Sequence, residues 1–121
     1  MFDTNAVIVA LDGDDPVFRA RMAEVEEGDI VMSSVVLAEV ALGTAQGRPP
    51  VAKVLDIFLE EVPVLAFDES AAGVYAQIPF KRASYDRLIA AHALSLGLAV
   101  VTANTKDFAD VPGLMVENWT V

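Results

Sequence analysis

The stretch from Ser84 to Phe108, SYDRLIAAHALSLGLAVVTANTKDF, constrains this chain more than any other. It reads as a helix, a glycine stop, an apolar strand and a polar loop. Gly97 stands where a helix C-cap glycine belongs. Leu98 to Val101 is wholly apolar, which predicts a short strand in the core. On a helix of 3.6 residues per turn, Arg87, His92 and Ser95 share one arc, expected to face water. Asp86 lies off that arc, in line with Ile89, Ala90, Ala93 and Gly97. Its carboxylate is therefore expected to point toward the core from the helix N-terminus. Asp107 follows the strand, in the loop Asn104–Asp107. A helix-start acid and an acid just past a strand end can meet at one edge of a parallel sheet, where ligand sites of open α/β sheets lie.

The rest of the chain repeats the alternation. Met1 to Asp3 is a minimal first strand ending at an acid. Asn5 to Leu11 is apolar enough for a buried helical turn or two. Asp12-Gly13-Asp14-Asp15-Pro16 is a turn and helix start; it lacks the later ligands of a calcium loop. A helix is expected over Val17 to Glu27, stopped by Gly28, then a strand over Asp29 to Met32. Ser33 or Ser34 caps a helix running to about Thr44. After the loop Gly47–Pro50 come a helix (Val51 to Glu61), a strand (Val62 to Phe67) and a helix begun by Asp68. Ile78 to Ala83 connects to the helix of Asp86. Val111-Pro112-Gly113 turns into a last strand, Leu114 to Glu117, with Trp119 expected to anchor it. The pattern predicts an α/β fold with a mostly parallel sheet covered on both faces. A chain of 121 residues suits one domain, residues 1–121.

Charge and composition limit the function. No run reaches the roughly 18 apolar residues of a membrane helix, and the first residues lack a basic start, so no membrane span or secretory signal is expected. There is no Cys, which excludes disulfides, thiolate metal sites and cysteine nucleophiles and fits a reducing, cytoplasmic setting. The net charge of −10 is the wrong sign for a nucleic-acid binder taken whole. Yet Lys81, Arg82, Arg87 and Lys106 flank Asp86 and Asp107, a basic rim able to receive a polyanion.

Four acids stand apart from the solvated charge: Asp3, Glu39, Asp86 and Asp107. Asp3 is the only charged side chain before Asp12, and Glu39 the only one from Ile30 to Gly47. Asp3 and Asp107 fall at or just past strand ends; Glu39 and Asp86 sit on apolar helices. Carboxylates gathered at one edge repel one another, and hard divalent cations such as Mg²⁺ or Mn²⁺ relieve that repulsion. Such ions activate water and stabilise the leaving oxygen of a phosphodiester. The grouping suggests metal-dependent phosphodiester hydrolysis. No G-x-x-x-x-G-K-[ST] or G-x-G-x-x-G motif occurs, nor an arrangement for acyl transfer. His92 projects away from Asp86 round the helix, so packing rather than catalysis is expected of it.

Phe2-Asp3-Thr4-Asn5, Ser33 to Glu39 (SSVVLAE), Asp86 to Ala93 (DRLIAAHA), Val101 to Phe108 (VTANTKDF), Pro112-Gly113-Leu114 and Glu117-Asn118-Trp119 together resemble PIN-domain ribonucleases. The likeness is to the VapC-type toxins of toxin–antitoxin pairs, in the expected order over nearly the full chain. The resemblance implies a three-layer fold with a five-stranded parallel sheet. It places metal-site acids on Asp3, Glu39, Asp86 and Asp107, with Asn5, Thr102 and Asn104 supporting them through hydrogen bonds. It further implies an RNA substrate, a homodimer and a small VapB-like inhibitory antitoxin. One departure stands out. The family carries a longer helix and loop ahead of the third acid, where this chain has only Gln77 to Tyr85.

The rival reading is a non-enzymatic module, either a receiver-like signalling domain or a partner-binding α/β unit. Lys106 follows a late strand as a receiver lysine does. Against it, Asp3 has no adjacent acidic partner, and the third strand runs into the helix start Asp68-Glu69.

Overall fold

The structure is a computed structural model that describes residues 1–121. Helix α1 spans Thr4–Asp12 and α2 spans Pro16–Ala23; strand β1 is Met32–Ser33 and runs straight into α3, Ser34–Ala45. Helix α4 (Ala52–Glu61), strand β2 (Val64–Leu65) and helix α5 (Glu69–Gln77) follow. The last third holds α6 (Tyr85–Leu96), β3 (Val100–Val101), a 3₁₀ turn (Thr105–Asp107) and β4 (Val116–Glu117).

The sheet is parallel and centred on Phe2. Met32 pairs with Val64 and Ser33 with Leu65, while Val100 pairs with Val116 and Val101 with Glu117. Phe2 bridges Met32 on one side and Val101 on the other, both in parallel. The first segment therefore lies between the β2–β1 pair and the β3–β4 pair. The strands are shorter than the apolar runs of the sequence suggest. Outside the paired residues, the chain is held by hydrogen bonds such as Phe2 N–H to the Val31 carbonyl (2.9 Å) and Met32 N–H to that of Pro63 (3.0 Å).

Local signals explain the helix ends. Asp3, Asp15, Ser33, Asp68 and Ser84 each accept a backbone N–H from the first turn of the following helix. Pro16 occupies the first turn of α2, where its missing N–H costs nothing. Helix α6 ends at Gly97, whose φ of 67° is the left-handed value that glycine adopts without strain. Helix α2 stops at Ala23, short of the expected Glu27. There Asp29 accepts from the Glu26 N–H at 3.0 Å, and this local turn displaces further helix.

The core holds Phe2, Val7, Met32, Val36, Ile89 and Val100, all almost fully buried. Phe2 stacks edge-on against Phe18 and Trp119, with centroids 5.5 and 5.4 Å away. Trp119 thus anchors the end of the chain against the first strand segment, and Arg21 lies over its ring. No helix is long and apolar enough to cross a membrane.

The arc of Arg87, His92 and Ser95 does not face water. Arg87 and His92 are buried and Ser95 is half-buried. His92 Nδ1 lies 2.8 Å from the Ser33 hydroxyl, and Phe67 packs edge-on to its ring. Arg87 reaches the Pro79 carbonyl and the Asp110 carboxylate. Polar side chains can be buried when every donor finds a partner. No buried side-chain nitrogen or oxygen lacks one here. Helical periodicity cannot anticipate this, because the partners come from β1 and from loops 8 to 59 residues away.

Candidate active site

In a parallel sheet all strands deliver their C-terminal ends to one edge. Here that edge receives Asp3 after Phe2, Ser33 at the end of β1 and Thr102 after β3. Asp3 is 3 % exposed. Its Oδ1 accepts the Ala6 N–H at 2.8 Å, so the same carboxylate caps α1. Burial pushes the Asp3 carboxyl up to about 6. The Thr102 hydroxyl and the Ala6 N–H hold it back, and the Asp86 and Glu39 carboxylates drive it further up.

Two other side chains fix this edge. Asn5 Oδ1 accepts the Ala103 N–H at 3.0 Å, tying α1 to the loop after β3. Buried Thr102 accepts the Asn104 N–H at 2.9 Å through its hydroxyl. Asn104 is exposed and takes part through its backbone. Glu39 projects from the middle of α3, half-buried, and its Oε1 accepts the Thr4 hydroxyl at 2.8 Å. That contact joins α3 to the residue next to Asp3.

Asp86 stands in the first turn of α6, where a carboxylate also complements the helix dipole. It is half-buried. Its pKa is raised by burial first, then by the carboxylates of Asp107 and Glu39, with Arg82 pulling the other way. Asp86 and Asp107 line a wholly polar cavity of about 300 Å³ together with Ser84, Asp110, Lys81, Arg82, Arg87 and Lys106. Glu39 and Thr4 border a second hollow of about 490 Å³, which also meets Arg48. The four acids thus influence one another's charge across the edge, Asp3 with Asp86 and Glu39, and Asp86 with Asp107 and Glu39. They do not close round one point in this conformation, for no three stand near enough to hold a single ion. The donor set is all oxygen, half-buried or deeper except for exposed Asp107. Such a set fits a hard divalent cation that keeps part of its water shell.

The four flanking cations divide into two kinds. Lys81 Nζ lies 2.9 Å from Asp110 Oδ2, and the buried Arg87 guanidinium reaches the same carboxylate at 3.4 Å. Arg82 and Lys106 are exposed and in no ion pair. Arg87, expected on an open rim, is instead a buried structural cation. Asp110 and Thr4 were not singled out by sequence reasoning. Thr4 follows Asp3 directly, and a hydroxyl beside the first acid was the available signal. Asp110 had none, since it looks like any loop aspartate until the chain folds.

A family model described as PIN domain matches residues 1–114. The chain is similar to the tRNA(fMet)-specific endonuclease VapC of Shigella flexneri, 33 % identical over 129 aligned positions that cover 99 % of this chain and 97 % of that protein. It is also similar to Ribonuclease VapC2 of Rickettsia felis, at 29 % identity over 98 % of this chain and 96 % of the relative. Among solved structures, VapBC2 from Rickettsia felis bound to a promoter DNA fragment superposes with a TM-score of 0.86 at 26 % identity, covering 98 % and 97 % of the two chains. DNA-bound VapBC from Salmonella typhimurium superposes at 0.85 with 30 % identity, covering 98 % and 96 %.

Proposed function

This chain belongs to the PIN-domain family, and from that premise we propose that it is a divalent-metal-dependent endoribonuclease, the toxin of a toxin–antitoxin pair. The observation that carries the reading is the mutual coupling of the edge acids. Asp3 is pushed up to about 6 and Asp86 is raised, each in part by neighbouring carboxylates. Repulsion of that kind is what a bound cation removes. In this reading Asp3, Glu39, Asp86 and Asp107 would hold Mg²⁺ or Mn²⁺ once drawn together by the ion, and Asn5, Thr102 and the Asn104 backbone keep the edge in shape. Held there, such an ion would supply an activated water and charge stabilisation at the leaving oxygen of an RNA phosphodiester. Asp3 is kept in place by the α1 cap, and Glu39 by Thr4. Arg82 and Lys106, beside Asp86 and Asp107, are placed to take the phosphates of the strand.

The partner follows from the same surface. A small VapB-like antitoxin offers an Arg to the carboxylates, a guanidinium being the natural guest of an acid cluster. Its helix covers apolar surface. Ile8, Leu11, Pro50 and Val54 line a cleft of about 230 Å³ that shares Ile8, Asp12 and Pro49 with the hollow bordered by Glu39. An occupant of the cleft therefore has a path to the acids. The single cluster of 21 buried apolar residues supports reading residues 1–121 as one domain. A homodimer acting in the cytoplasm completes the proposal.

The test is cleavage of RNA by purified protein in Mg²⁺, with initiator tRNA as the first substrate because a relative is named for it. Cleavage abolished by EDTA and by Asp3→Asn is the expected result. Cleavage that survives both contradicts the metal-site assignment. Expression alone is expected to arrest growth, and co-expression of a cognate antitoxin to relieve it.

A further inference from the structure

Arg87 is used by nothing in the reading above, yet it is the most buried cation of the chain's ion pairs, its side chain 7 % exposed. One nitrogen of its guanidinium donates to the Pro79 carbonyl, in the connector before α6. The other donates to both oxygens of Asp110, at 3.5 and 3.4 Å, in the loop beyond the 3₁₀ turn. Arg82 sits three residues after Pro79, and Lys106 four residues before Asp110. Both line the polar cavity with Asp86 and Asp107, and neither is in an ion pair. We propose that Arg87 is a positioning residue for RNA: it ties the 78–84 connector to the 105–111 loop, so that Arg82 and Lys106 present their charges at a fixed spacing along the cavity. The proposal rests on the ribonuclease reading and adds to it which cations bind and which one sets their spacing.

The physical basis is the shape of the guanidinium. Arg carries five donors in a rigid fork and serves two acceptors in different segments at once. A Lys ammonium on a flexible stem keeps the charge but not the planar bridge. Removal of the Arg unlinks the Pro79 carbonyl and leaves the exposed Lys81 ammonium alone to tie the connector to Asp110, a single flexible contact between two segments outside the strand pairing. Asp110 has an unusual position in this scheme. It removes two cations from the surface, Lys81 and Arg87, beside a site that receives a polyanion. On charge alone its loss ought to favour RNA, because net charge moves up by one and Lys81 is released. On the bracing scheme its loss weakens RNA binding. The two signs are opposite.

The experiment measures the Kd of a fluorescein-labelled single-stranded oligoribonucleotide by anisotropy in EDTA, and KM and kcat in Mg²⁺. It compares wild type with Arg87→Lys, Asp110→Ala, Arg82→Ala and Lys106→Ala, each checked by a melting curve. Arg87→Lys and Asp110→Ala are expected to raise Kd and KM about tenfold, the cost of a charge-assisted bridge, with kcat within about twofold. Their salt dependence stays that of wild type, since no phosphate contact is lost. Arg82→Ala and Lys106→Ala each lower the salt slope by about one. Wild-type affinity in Arg87→Lys together with tighter binding in Asp110→Ala overturns the brace. If Arg87→Lys melts early, Asp110→Ala decides by the sign of its change. Absence of cleavage by the wild type removes the ribonuclease reading and leaves the EDTA binding series to judge the brace; no RNA binding in either condition ends both.

Discussion

Asp3 and Asp110 are two aspartates at one end of the molecule, and their environments push them in opposite directions. Asp3 ends the central strand segment, is buried, and has its pKa pushed up to about 6 by that burial and by its acidic neighbours. Asp110 lies on a loop, exposed to solvent, and its pKa is lowered, first by the hydrogen bond from Lys81 and then by the charges of Lys81 and Arg87. The sheet edge gathers negative charge with none of its four acids in an ion pair, and only the more distant Arg82 offsets the charge of Asp86. The loop matches its charge fully within the chain. A carboxylate whose partner is supplied by the fold stabilises the fold; one left without a partner at a sheet edge is available to a ligand.

The largest effect expected from this contrast is on cleavage. Asp86→Asn keeps the shape and removes one edge charge, so RNA cleavage in Mg²⁺ falls by orders of magnitude in a protein that still folds. Asp56→Asn, on the exposed face of α4, leaves the rate unchanged. A wild-type rate in a folded Asp86→Asn protein removes Asp86 from the site.

The next effect is on stability and separates the two aspartates by pH. The folded pKa of Asp3 lies above its ordinary value of 3.8, at about 6. Between those values the folded state binds more protons than the unfolded state, so metal-free stability falls as pH rises from about 4 to about 6. The shift corresponds to at most about 3 kcal/mol. In Asp3→Asn the side-chain oxygen still caps α1 while the Asp3 share of this fall disappears, leaving only that of Asp86, whose pKa is also raised. Urea unfolding of both proteins from pH 4 to 7 measures the difference, and parallel curves contradict the assignment. Asp110 has the opposite sign. Its lowered pKa means that its contribution is present at neutral pH and lost only as acid protonates it below its ordinary value. Asp110→Asn therefore leaves the pH 5 to 7 profile unaltered.

The smallest effect concerns the scaffold behind both regions. Gly97 has φ of 67° with open space around a would-be Cβ, so Gly97→Ala meets strain and no clash. A loss of about 1 kcal/mol is expected. It lowers the melting temperature and leaves cleavage at 25 °C as it was, which distinguishes damage to the frame from damage to the site.

Much of this was legible in the residues. Gly97 as a helix stop, Ser33 and Asp68 as caps, and the order of strands and helices all depend on near neighbours and are found, although bounds shift: the strand expected over Asp29 to Met32 pairs only at Met32–Ser33. The direction of Asp86 toward the core was not: it is half-buried and lines the polar cavity, because burial on α6 takes in Arg87, Ala91 and His92 as well as Ile89, Ala90 and Ala93. What escaped depends on distant partners. Arg87 and His92 look like solvent-facing residues until Pro79, Asp110, Ser33 and Phe67 arrive to cover them. Strand lengths escaped because pairing is set by which segments lie alongside. Phe2 gains two neighbouring strands from residues 30 and 99 positions away, which no local pattern announces.

Whether the edge acids form a metal site is decided by thermal melting with and without Mn²⁺, at matched ionic strength so that screening is held constant. An ion that binds only the folded site stabilises it by about 2.7 kcal/mol at a hundredfold excess over its Kd. For a domain of this size that is a rise on the order of ten degrees. The wild type and Asp56→Asn are expected to show the full rise, and Asp86→Asn only a small part of it. Equal rises in all three proteins mean that Mn²⁺ merely screens a body of charge −10, and the four-acid site is then wrong.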